Sequence, residues 1–166
     1  MFERGWLSAN QVLFDHPDGC ALVDSGYVLH AAQTLDLVQS ALGDRPLQRL
    51  INTHLHSDHC GGNAALQGQY PHAQTWIPQA CIKAVEGWDE NALSYRATGQ
   101  DCPRFACQHG LQHGQTLVLA DRGWQVHAAP GHDPDAVCLF EPESRTLISG
   151  DALWANGFST STCLPA

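Results

Sequence analysis

Thr53-His54-Leu55-His56-Ser57-Asp58-His59 places four potential metal ligands within six consecutive residues. Side chains of an extended segment alternate in direction, so His54 and His56 point the same way and can grip one ion together. If the chain then turns, Asp58 and His59 reach a second position close by. The chain has 10 histidines. Random placement of its His and Asp residues produces H-x-H-x-D-H only about 3 times in 1000, which disfavours a solvated polar loop.

The flanks read as a layered α/β pattern. Leu47 to Asn52 is a short strand that runs straight into the cluster. Upstream, Trp6 to Phe14 reads as a strand, His16-Pro17-Asp18-Gly19 as a turn, and Cys20 to Val23 as a second strand that completes a hairpin. Ala31, Leu35, Val38 and Leu42 recur at helical spacing, and Gly43 is the stop. Downstream, Gly61-Gly62-Asn63 opens a helical stretch through Leu66. Thr75 to Ile77 is a strand ending at Pro78, and Gln79 to Glu86 is a helix. Asp89 to Gln108 lacks a clear period and reads as a loop or irregular helix.

The rest alternates as β-structure. Gln115 to Leu119 is a strand, and Asp121-Arg122-Gly123 a turn. Trp124, Val126 and Ala128 then share one strand face. Ala136 to Phe140 and Thr146 to Ser149 pair around Pro142-Glu143. With 166 residues and no linker or repeat, residues 1–166 read as one domain whose strand-end loops hold the site.

Composition narrows the partners. Acidic residues outnumber basic ones 17 to 8, for a formal charge of −9. Such a surface repels phosphate backbones and anionic lipids, so a small-molecule substrate is expected rather than nucleic acid or a membrane. No stretch approaches the ~18 apolar residues of a membrane span. Met1 to Leu7 shows no signal peptide, which makes the cytoplasm the expected compartment. The seven cysteines (Cys20, Cys60, Cys81, Cys102, Cys107, Cys138 and Cys163) are odd in number and scattered, so they read as free thiols.

Some clusters are set aside. Cys102-x4-Cys107-x-His109-x3-His113 has the wrong spacing for a zinc knuckle. Cys60 follows His59 directly and is read as packing near the metals. His16, His30, His72 and His127 show no partner cluster. Asp133 and Asp135 flank His132 and serve either as hydrogen-bond partners of a ligand histidine or as turn caps.

The His54–His59 run resembles the signature of the metallo-β-lactamase superfamily. Three further segments fit in the right order: Asp24-Ser25-Gly26, Pro130-Gly131-His132 and Gly150-Asp151. The resemblance implies an αββα sandwich. It implies that His54, His56 and His132 hold a first metal, that Asp58 and His59 hold a second, and that Asp151 bridges the two. Asp24 is then structural, supporting the metal loop. The implied cofactor is zinc, two ions in the complete protein, with iron or manganese also suited to an all-N/O donor set.

The implied chemistry is a metal-held hydroxide attacking an ester, thioester, lactone or lactam carbonyl, with Asp58 orienting it as well as ligating. An iron-dependent sulfur oxidoreductase of the same fold is the alternative. The di-iron branch typically has Glu where this chain has His56. The family also places a last histidine ligand well downstream of the Gly-Asp segment. Only 15 residues follow Asp151 and none is His, so the second half of the fold is expected to be incomplete and the chain a fragment. An inactive fragment is therefore a further reading.

Overall fold

Alternation in Cys20–Val23 decides which layer each side chain joins. Cys20 and Leu22 pack toward helices, whereas Ala21 and Val23 pack toward a second sheet. This strand is β2, and all four of its residues are buried. In the computed structural model, which describes residues 1–4, 8–154 and 157–158, it pairs antiparallel with β1 (Val12–Phe14) and parallel with β3 (Leu47–Ile51). β4 (Gln74–Pro78) and β5 (His109–Leu111) extend the sheet in parallel, giving the order β1-β2-β3-β4-β5.

Parallel neighbours need crossovers, and helices supply them. α1 (Ala31–Leu42) joins β2 to β3 and buries Thr34, Val38 and Leu42. Gly43 closes it at φ 59°, a backbone region that glycine enters without a Cβ penalty. After β3 come the one-turn α2 (Ser57–Cys60) and α3 (Asn63–Gln69), which buries Leu66 beside Leu22, Val38 and Leu50. α4 (Ile82–Gly87) follows β4, and α5 (Tyr95–Thr98) is a single turn.

A second sheet is an antiparallel meander of β6 (Thr116–Leu119), β7 (Arg122–Ala128), β8 (Val137–Glu141) and β9 (Thr146–Ile148). Its Leu117, Leu119, Trp124, Val126, Val137 and Leu139 meet Ala21, Val23 and Ile51 of the first sheet in one core. Each fully buried aliphatic side chain there contributes about 1.5–3 kcal/mol. β10 (Leu153–Trp154) and β11 (Gly157–Phe158) form a small hairpin. Among the described residues no helix is long and apolar enough to cross a membrane.

Several local expectations change. The strand read from Trp6 begins only at Val12, and Trp6 and Leu7 lie outside the described residues. The turn read at Asp121-Arg122-Gly123 sits one residue earlier. Ala120 and Asp121 adopt φ 50° and 59°, and β7 starts at Arg122. Ala128 is exposed, unlike Trp124 and Val126, because it lies at the end of β7, where the sheets no longer cover it. The segment 89–108 buries Leu93, Tyr95, Cys102 and Phe105 despite its polar look, because their spacing follows a folded loop rather than a helix or strand. β5 escaped the periodicity reading. At three residues it is too short to show alternation.

Candidate metal centre

The first parallel strands deliver the site at their C-terminal ends. β2 runs out at Val23 into Asp24, and β3 runs out at Ile51 into Asn52, Thr53 and His54. Asp24 adopts φ 59°, a left-handed conformation that Asp tolerates better than most residues. Its carboxylate thereby turns toward the loop after β3. Thr53 donates its N–H to Asp24 Oδ1 and its hydroxyl to Asp24 Oδ2, each at 2.9 Å. His59 Nδ1 lies 2.9 Å from Asp24 Oδ2.

A buried polar network pins the rest of the loop. Ser25 N–H donates to the His59 carbonyl at 2.7 Å, and the Ser25 hydroxyl donates to Asn63 Oδ1 at 2.7 Å. Asn63 Nδ2 donates to Asn52 Oδ1 at 2.7 Å. The glycine pair after α2 permits this closeness. A Cβ on Gly62 would stand 2.5 Å from the Ser25 carbonyl oxygen. Gln100, from the 89–108 segment, accepts hydrogen bonds from the Ser57 N–H and hydroxyl at the start of α2.

Three imidazoles converge from two parts of the chain. His54 and His56 come from the motif, and His132 from the loop between β7 and β8. Each offers a nitrogen within 4.8 Å of the others. His56 Nδ1 and His132 Nε2 are 2.9 Å apart. Val137 N–H bonds the Thr53 carbonyl at 2.8 Å, which carries the His132 loop to the motif. A second grouping joins His54, His59 and Asp151, also within 4.8 Å. Asp151 reaches both groups: Oδ1 is 3.1 Å from His59 Nε2 and Oδ2 is 3.5 Å from His132 Nε2.

Asp58 sits at the rim, with Oδ2 3.8 Å from His59 Nε2. It belongs to neither compact grouping. It lines a groove of about 920 Å³ together with Asp24, His59 and Asp151. The structure thus brings together His54, His56, His132, His59 and Asp151 closely, places Asp58 beside them, and sets Asp24 behind His59.

Electrostatics separates the histidines. Burial, reinforced by His59, His56 and His132, holds His54 far below the usual imidazole range, so it is neutral. Burial and then His132 lower His56 as well. Burial also opposes a charge on His59, but Asp24 and Asp151 outweigh it and raise its pKa to about 10. Asp151 is lowered: burial acts against this, and the hydrogen bond and charge of His59 win.

The donor set suits a divalent metal. His54 Nε2 is buried with no hydrogen-bond partner, and His59 Nε2 faces the Asp151 carboxylate at 3.1 Å. An orphaned buried nitrogen is costly unless something such as a cation accepts its lone pair. Tetrahedral nitrogens about 2.0–2.1 Å from one zinc stand roughly 3.3 Å apart, and the three imidazole nitrogens here lie within 4.8 Å of one another, with His56 and His132 at 2.9 Å.

Other expectations resolve here. Asp133 Oδ2 lies 3.7 Å from His56 Nε2, while Asp135 lies 3.9 Å from the Cys81 sulfur instead. The Cys102–His113 run forms no joint site: His109 stacks on Trp76 and His113 accepts from Ala128 N–H. His16 does have partners, contrary to the sequence reading. Its Nε2 is 3.2 Å from Asp121 Oδ2, and Asp18 is adjacent. Packing of the two sheets brings those turns together. Thr53, Asn52, Asn63 and Gln100 escaped the sequence reading. Only the position of Thr53 directly before the motif was a usable signal.

Known proteins are similar to this chain in sequence and in fold. Hydroxyacylglutathione hydrolase of Synechococcus sp. (strain JA-3-3Ab) is 36% identical over 111 residues, covering 67% of this chain and 36% of the relative. The acyl-coenzyme A thioesterase MBLAC2 of Gallus gallus is 30% identical over 128 residues, covering 68% of this chain and 43% of the relative. The chain therefore spans less than half the length of these curated relatives. TTHA1623, solved in a di-iron-bound form, aligns with TM-score 0.71 at 26% identity, covering 96% of this chain and 75% of that protein. The FEZ-1 metallo-β-lactamase of Legionella gormanii aligns with TM-score 0.69 at 15% identity over 81% of this chain and 52% of the enzyme, a likeness of fold. The family model described as the metallo-beta-lactamase superfamily matches residues 4–163. With that match spread across both sheets and both donor groups, the chain belongs to the metallo-β-lactamase superfamily.

Proposed function

We propose that this chain carries the metal-binding part of a hydrolase that cleaves a carbonyl substrate, with a thioester as the favoured class. The convergence of His54, His56 and His132 around the orphaned Nε2 of His54 carries the reading. His54, His56 and His132 form one ligand set. Asp58 and His59 belong to a second, and Asp151 is shared. Zinc is the favoured ion for neutral imidazoles with carboxylates. The thioester preference is supported by the relatives named as a hydroxyacylglutathione hydrolase and an acyl-coenzyme A thioesterase.

When bound, divalent metal supplies Lewis acidity, bringing the pKa of a water near 7 and polarising the substrate carbonyl. The chain's own residues do the rest. Asp24 accepts from His59 Nδ1–H, which leaves the Nε2 lone pair facing the centre. A metal held at Nε2 would need that nitrogen unprotonated, with Nδ1–H still donated to Asp24. Asp58, partly exposed at the groove, accepts a hydrogen bond from the attacking water and aims it. Burial of His54 and His59 keeps bulk water off the nitrogens.

The test is metal content by elemental analysis alongside hydrolysis of an acyl thioester, a lactone and a β-lactam. Bound metal with turnover of the thioester, abolished by a chelator, is expected. Protein that binds no divalent metal and releases no thiol would sink the reading. An iron-loaded oxidoreductase is the second reading, favoured by the di-iron-bound form of TTHA1623. Iron as the co-purified metal, with oxygen consumption and no thioester cleavage, would select it.

A further inference from the structure

The metal loop is backed by a pair of thiols that the chemistry above does not use. Cys60 ends α2, directly after His59, and is completely buried. Its sulfur lies 3.8 Å from the sulfur of Cys102, 42 residues away, within reach of a weak S–H···S hydrogen bond. The Tyr95 hydroxyl donates to the Leu55 carbonyl at 2.8 Å, and its oxygen stands 3.1 Å from Cys60 Sγ. Leu55, Leu93, Tyr95 and Phe105 surround the pair. The two sulfurs have already met through folding, and only ~1.8 Å separates their 3.8 Å contact from a disulfide bond length.

We propose that Cys60 and Cys102 are a redox-active thiol pair, closing to a disulfide under a peroxide oxidant and reopening with a thiol reductant. Cys102 is the attacking member. It lies at the surface end of the pair at 8% exposure, against 0% for Cys60. A hydrogen bond from Cys60 also lowers its pKa, which raises its thiolate fraction. The Cys102 thiolate attacks one peroxide oxygen, the O–O bond breaks, and hydroxide leaves and takes up a proton as water. Cys102 is then a sulfenic acid. The Cys60 sulfur displaces its hydroxyl, which departs with the Cys60 proton as a second water, and the S–S bond forms. Two thiols are oxidised and one peroxide is reduced to two waters.

The bond acts on the metal loop. Cys60 follows His59 in a single helical turn, whose Cys60 N–H bonds the His56 carbonyl at 3.2 Å. Drawing Cys60 toward Cys102 shifts that turn relative to Asp24 and Asp151, the groups that orient His59. The loss of metal affinity is expected to be about 10–100-fold, as when the partners of a ligand histidine are disturbed. This second step rests on the function proposed above, whereas formation of the bond does not.

The experiment treats the native protein with hydrogen peroxide, blocks free thiols, and maps peptides by mass spectrometry without reduction. A Cys60–Cys102 cross-link lacking two hydrogens is expected, reversed by dithiothreitol and absent from Cys102→Ser. Oxidation confined to Cys81, Cys107 or Cys138, or a Cys60–Cys102 link seen only after unfolding in urea, overturns the proposal. Zinc affinity is measured by chelator competition in both states. A link that forms while affinity stays constant overturns the coupling to the metal loop. A chain that binds zinc in neither state fails the reading of the centre and leaves the mapped bond as evidence for the pair.

Discussion

Asp24 and His59 meet across 35 residues of chain, Oδ2 to Nδ1 at 2.9 Å, with both side chains almost wholly buried. The same carboxylate holds Thr53 by two hydrogen bonds. One buried anion therefore fixes the start of the motif and its last histidine together, and it selects the His59 tautomer whose Nε2 faces the centre. Asp24 belongs to neither compact donor grouping, so it is a positioning residue.

Replacing Asp24 with Asn keeps the shape and removes the charge. His59 Nδ1–H then loses its anionic acceptor. Metal affinity is expected to fall about 10–100-fold. Chelator competition measures it, and a circular dichroism spectrum checks that the fold persists. Unchanged affinity would mean that Asp24 orients nothing.

Asp58→Ala separates aiming the water from building the fold, since Asp58 sits at the groove rather than in the core. Loss of a positioned proton acceptor costs about 100-fold or more in kcat. Thioester turnover should collapse while the thermal midpoint moves little. A near-normal kcat would remove Asp58 from the chemistry.

Gly150 is a contact point as well as a turn. It holds φ +50°, and a Cβ there would stand 2.7 Å from Thr53 Oγ1 and 2.9 Å from Thr53 Cβ. Gly150→Ala is expected to destabilise the protein by about 1–3 kcal/mol, combining strain with overpacking. It also displaces the neighbouring Asp151. Urea unfolding and metal content should fall together, and a neutral result on both would refute the tight approach.

Glu141 gives the acid limb of stability. Hydrogen bonds from the Ser144 hydroxyl and N–H, then from Glu143 N–H and Arg122, hold its pKa down at about 2. A depressed carboxyl stabilises above its unfolded value of about 4.3 and loses that contribution as pH falls toward 2. Wild-type protein should therefore exceed Glu141→Gln in stability at pH 6, and the gap should close between pH 4.5 and 2. Urea midpoints at several pH values measure it. A gap that is constant with pH would show that the charge of Glu141 is idle.

The ligand motif was legible because it is local. Four donors in six residues and strand alternation at His54 and His56 need no knowledge of the rest of the chain. The helix Ala31–Leu42 and the hairpin at Cys20–Val23 were legible for the same reason, since period and turn chemistry are short-range signals. The resemblance placed His132 and Asp151 in the same centre, but periodicity could not have done so. They arrive on loops whose positions are set by sheet packing and by the Val137–Thr53 hydrogen bond.

Only the tertiary structure decided the remaining partnerships. Asp24 with His59, Cys60 with Cys102, and His16 with Asp121 each join residues separated by dozens of positions. Composition gives no sign of such pairs, because a contact between distant residues depends on how two layers stack and on which backbone can approach which. Gly62 against Ser25 and Gly150 against Thr53 are the clearest cases: a sequence shows a glycine, and only the fold shows what a side chain there would strike. Local chemistry thus names the ligands, and long-range packing aims them.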